Sequence, residues 1–139
     1  MVKYALYITT YDRGTYHTGH TKPYHWAFRI LRSVPGSGHF DFVHQLRGMP
    51  GNFHYVGPEK VEVLAEFGTP KQTLEVGELD ESNMVRVHGI LKALCIDQAE
   101  SSRWNCQNWI LEGLERLMRE GFVYDYMTKD AVKNWLKEQ

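Results

Sequence analysis

The hydrophobic pattern changes period once along this chain, and that change limits the folds open to it. Up to residue 67 apolar residues alternate, as they do on strands buried on one face. From residue 80 they recur every three or four positions, as they do on helices with one buried stripe. Strands gathered early and helices late predict an α+β domain rather than alternating βα units. Segments 3–11, 24–32, 40–47, 53–56 and 61–67 read as the strands. The stretch 12–23, rich in Gly, Thr and His, reads as a loop, and Pro35-Gly36-Ser37-Gly38 reads as the turn of a hairpin joining 24–32 to 40–47. In the later half, Met84, Val87, His88, Leu91 and Leu94 share one face of a helix that Asp80 caps. A second helix runs from near Asn105 to Glu120 on Trp109, Ile110, Leu114 and Leu117, with Gly121 at its C′ position. Thr128 caps a third over 129–137, docked through Val132 and Trp135.

Length and composition narrow the function classes. The chain has 139 residues, of which 42% are apolar and 24% charged, so one domain over 1–139 with a real core is expected. No apolar run approaches the roughly 20 residues of a spanning helix, and the N-terminus reads as a strand rather than a leader. A cytoplasmic protein without a membrane span is therefore expected. A net charge of −1 supplies no field to gather nucleic acid. Two cysteines occur, Cys95 and Cys106, and at least one is expected as a free thiol. Cys95, on the stripe with Leu91 and Leu94, reads as a small buried hydrophobe.

Cys106 stands in the first turn of the second helix. Backbone N–H groups and the positive end of the helix dipole favour a thiolate there and would also receive an oxyanion. Trp104 and Trp109 flank it and are expected to wall the site. A reactive thiol needs a base, and His25, opening a strand straight after a loop, is expected at the sheet rim to serve as one. Along 24–32, Trp26, Phe28 and Ile30 take one face, while His25, Ala27, Arg29 and Leu31 take the other. A regular hairpin would set His44 opposite Arg29, on the face of His25, and make it the residue that orients the imidazole. Gln45 and Asp41 would point away. Tyr11, Tyr16, Tyr24 and Trp26 are expected around an apolar substrate groove. His17 and His20 lie close together, but no cluster completes a tetrahedral site, and Gly36-Ser37-Gly38 lacks the Lys and helix of a phosphate loop. No metal and no cofactor is expected.

The order of these residues resembles that of the circularly permuted papain-like enzymes of the NlpC/P60 superfamily, which include lecithin:retinol acyltransferase-like and PPPDE-type families. In those, a strand His precedes a Cys at a helix start, as His25 precedes Cys106. The phrase Asn105-Cys106-Gln107-Asn108-Trp109-Ile110 is similar to the Asn-Cys-Glu-His-Phe-Val wording of the acyltransferase branch, with Gln107-Asn108 in place of Glu-His. The run His44-Gln45-Leu46-Arg47-Gly48-Met49-Pro50-Gly51, with Phe53, is similar to small fungal proteins of the same general kind. The resemblance implies an antiparallel sheet packed against the Cys helix. It also implies a cysteine hydrolase with Cys106 as nucleophile, His25 as base and His44 behind it. Tyr24, Trp26, Trp104 and Asn105 would meet a small-molecule or peptide substrate at an amide, thioester or ester bond. Acyl or amide transfer between small molecules, and an inactive papain-like domain that binds a peptide or protein, are the alternatives.

Overall fold

The alternating segments form β1 (Lys3–Tyr11), β2 (His25–Val34), β3 (Gly38–Arg47) and β4 (His54–Lys60), joined by β5 (Gln72–Asp80). These assignments come from a computed structural model that describes residues 3–15, 17–20, 22–34, 38–60, 70–99, 101 and 103–137. All five strands pair antiparallel in one sheet, in the order β4-β3-β2-β1-β5. The expected strand at 61–67 lies outside the described residues. β5 escapes the alternation rule because its register shifts opposite Leu6 and Tyr7, so Leu74, Val76 and Leu79 face the core at uneven spacing.

A short 3-10 turn (Glu81–Asn83) leads into α1 (Met84–Lys92), followed by α2 (Cys106–Arg119) and α3 (Lys129–Lys137). The chain is thus α+β. Asp80 closes the entry to the first helical segment, its N–H donating to Asn83 Oδ1 at 2.9 Å. Thr128 Oγ1 accepts the Ala131 N–H at 3.2 Å and so caps α3. α3 docks through Val132 and Leu136; Trp135, the expected anchor, is 46% exposed and lies on the outer side. α1 ends at Lys92, three residues short of the expected stripe, which leaves Cys95 beyond the helix and exposed rather than buried. Both cysteines are free. No helix among the described residues is long and apolar enough to cross a membrane.

The main core lies where α1 and α2 meet the sheet. Leu6, Ile8, Phe28 and Ile30 from the strands pack there with Leu91, Trp109, Ile110, Leu114 and Leu117, all without measurable exposure. Burial of a side chain of this size contributes about 1.5–3 kcal/mol. Gly113 lets α2 lie close on β2, since a Cβ there would stand 2.9 Å from the Phe28 ring and 3.0 Å from Leu91. That close approach sets the helix start against the first residues of β2.

The β2–β3 hairpin differs from expectation by one residue. Val34 pairs with Gly38, so three residues rather than two connect the strands, and every later pair moves by one. His44 consequently pairs with Phe28, not Arg29, and shares the helix-covered face. A one-residue change of register exchanges the faces, so Gln45 takes the side expected for His44.

Candidate active site

The start of α2 is tied down by side chains of its own first turn. Asn105 is extended, its Oδ1 accepts the Gln107 N–H at 2.9 Å, and its own N–H donates to Asn108 Oδ1 at 2.9 Å. This reciprocal cap fixes where the helix begins. Gln107 Nε2 then donates to the Tyr24 carbonyl at 2.9 Å, and Cys106 Sγ lies 3.9 Å from the same oxygen. One carbonyl therefore joins the Cys106 turn to the residue preceding His25.

Cys106 is 4% exposed, and burial pushes its thiol above the ordinary range. The Trp26 N–H and the charge of Arg13 act in the opposite direction without overcoming burial. The thiolate expected from position alone is therefore not the resting form. Asn105 already occupies the N–H groups of Gln107 and Asn108, which leaves the N–H of Cys106 itself as the first-turn donor outside the cap.

His25 opens β2 and is 4% exposed. Its Nε2 meets Gln45 Oε1 at 2.7 Å, while Gln45 Nε2 donates to Glu59 Oε1 at 2.8 Å. Arg47 closes the chain on Glu59, reaching its two oxygens at 3.4 and 3.3 Å. A carboxylate only accepts, so it holds the Gln45 amide with N–H₂ outward and Oε1 toward the histidine. The proton of neutral His25 then sits on Nε2, and Nδ1 carries the lone pair. Glu59 reaches this face because a register shift between Val43 and Gln45 sets Val56 and Glu59, three residues apart, on the same side. Gln45 thus occupies the orienting place expected of His44.

His44 belongs to a different cluster on the opposite face. Its Nδ1 meets the Tyr55 hydroxyl at 2.6 Å, and that hydroxyl meets His88 Nδ1 of α1 at 2.8 Å. Nε2 of His44 is buried without a partner among the described residues. With the proton on Nδ1, the His44 ring keeps no unpaired N–H: His44 donates to Tyr55, and Tyr55 donates to His88. Burial and the neighbouring His88 lower His44 to about 4, so it stays neutral. Gly57 makes room, since a Cβ there would stand 2.6 Å from His44 Nδ1 and 2.9 Å from the Tyr55 oxygen. Neither Tyr55 nor His88 was legible as a partner of His44, because both depend on the register of the hairpin.

Cys106 and His25 line one cavity of about 360 Å³, together with Phe53, Trp104 and Asn105. Trp104 stands edge-on to Phe53, ring centres 5.8 Å apart. Tyr24 and Trp26 line a second cavity, of about 580 Å³, which shares Lys22, Pro23, Arg103 and Asn105 with the first. Trp109, expected as a wall, is sealed in the core between Phe28 and Tyr55. Tyr11 is buried on the sheet face away from the main core, with Ala27 and Val43, and Tyr16 lies outside the described residues. Among known proteins, residues 6–124 match one family, described as a family of unknown function (DUF6540). No curated protein and no solved structure matches the chain.

Proposed function

The chain belongs to the DUF6540 family, whose description carries no activity, and from its site we propose a cysteine hydrolase or acyl-transfer enzyme of permuted papain-like architecture. One observation carries the reading: Cys106 and His25 line the same cavity, while Gln45 holds Nε2 of His25 in the protonated form.

The chemistry follows from those positions. His25 Nδ1 takes the Sγ proton as sulfur attacks a substrate carbonyl, and the carbonyl π pair moves onto oxygen beside the Cys106 N–H. The tetrahedral intermediate collapses, breaking the bond to the leaving group, which receives the proton from His25 Nε2-locked imidazolium through Nδ1. Water, giving its proton to Nδ1, then releases the acid from the thioester and restores the thiol. An amine in place of water gives transfer instead. A thiol raised by burial needs a base during attack, which assigns His25 a larger part than a preformed ion pair would leave it. The buried Cys106 also fits a binding module whose thiol is inert.

Site-resolved alkylation by iodoacetamide at pH 7 separates these readings, with exposed Cys95 as internal reference. His25→Ala is expected to slow Cys106 about 100-fold, the low end for a general base, and to leave Cys95 unchanged. Equal Cys106 rates in both proteins would overturn the enzyme reading in favour of the binding module.

A further inference from the structure

The chain as a whole is nearly balanced, with 16 Lys and Arg against 17 Asp and Glu. The cavity that holds Cys106 is not. Arg13, Lys22, Arg47 and Arg103 line it, and among the described residues no carboxylate does. Arg47 is engaged with Glu59, so its charge is matched nearby. Arg13 and Arg103 make no ion pair with a carboxylate among the described residues, and both residues border the cavity. Arg13 is also close enough for its charge to act on the thiol. Arg103 stands on the wall shared with the second cavity, whose other lining includes Tyr24, Trp26, Leu111 and Leu136.

A concave site of one sign concentrates ligands of the other, and guanidinium groups match the planar or tetrahedral oxyanions of carboxylates and phosphates. We propose that the substrate carries an anionic group, carboxylate or phosphate, seated between Arg13 and Arg103 beside the scissile bond. Its less polar body lies in the cleft of Tyr24, Trp26, Leu111 and Leu136. This rests on the reading of Cys106 as a nucleophile only for what is cleaved; the anion seat is defined by the cations alone.

The two parts fail separately in one experiment. Iodoacetate and iodoacetamide react with a thiol in the same way, sulfur displacing iodide and a proton leaving, but only the first is charged. The ratio of their rates at Cys106, divided by the ratio at Cys95, reads the seat independently of thiol reactivity. It is expected at about tenfold, to fall as salt is raised, and to fall toward one in Arg13→Gln and Arg103→Gln. Arg103→Lys keeps the charge and is expected to retain most of the preference. Inorganic phosphate and succinate, added as competitors of iodoacetate, identify the oxyanion: the better protector of Cys106 names the class. A ratio of one, or a raised ratio that both Gln variants keep, overturns the seat. The iodoacetamide rate with and without His25 tests the nucleophile by itself and is unaffected by either result.

Discussion

His44 and Gln45 are neighbours on β3, and each belongs to a hydrogen-bonded histidine chain on its own face of the sheet. The two chains are alike in length and bond distances: His25–Gln45–Glu59 at 2.7 and 2.8 Å, His44–Tyr55–His88 at 2.6 and 2.8 Å. They differ in whether the histidine borders a cavity and in what ends the chain. His25 lines a cavity and its chain ends in the Glu59–Arg47 ion pair; His44 is sealed at 1% exposure and its chain ends on α1. A well-bonded buried histidine is therefore no sign of catalysis. Access to a cavity, not the fixing of a tautomer, is what separates the two histidines, and it is what the proposed base needs.

The comparison breaks most visibly with pH. His44 titrates near about 4 when folded against 6.5 as an ordinary histidine. Between those values the unfolded chain holds the extra proton, so stability present above pH 6.5 is lost as pH falls toward 4. The loss amounts to about 3 kcal/mol. Urea unfolding of the wild type and His44→Gln across this range checks it: the variant is expected to lose less stability. Parallel curves would remove His44 from the folded-state account. A smaller effect belongs to the other face. Gln45→Leu is expected to slow alkylation of Cys106 about tenfold, the worth of one hydrogen bond that holds the ring. A Cys106 rate equal to that of the wild type would show that Gln45 does not orient His25. Smallest is Tyr55→Phe, expected to cost about 1 kcal/mol in urea unfolding while leaving the Cys106 rate untouched. A slowed Cys106 in this variant would mean the two chains communicate through the sheet.

How much of this was legible before the structure depends on how local each signal is. α2 runs from Cys106 to Arg119 as its pattern predicted, because the Asn105 cap, the apolar stripe and Gly121 all lie within one segment. The same holds for β1 and α3. Face assignments across the hairpin were not legible, since a connection of three residues instead of two exchanges His44 with Gln45, and nothing in 24–32 or 40–47 alone decides between them. Glu59 was hidden by a shift in the β3–β4 register, and β5 by the shift opposite Leu6. The cations around Cys106 were hidden for another reason: Arg13, Arg47 and Arg103 are scattered along the chain, and only the fold gathers them. Trp135 misled because amphipathic spacing admits either Trp135 or Leu136 as the inward residue.

The Tyr24 carbonyl that receives both Gln107 and the Cys106 thiol spans 83 and 82 positions of sequence. Bringing such distant points together costs chain entropy that only a formed sheet and core repay. On the proposed reading, the α2 segment alone would hold the nucleophile but not the residue that activates it. Any reactivity of Cys106 that depends on His25, as proposed, would therefore be a property of the closed topology rather than of any local element. It would appear late in folding, after the strands between residues 24 and 107 have paired, and would report the completed fold.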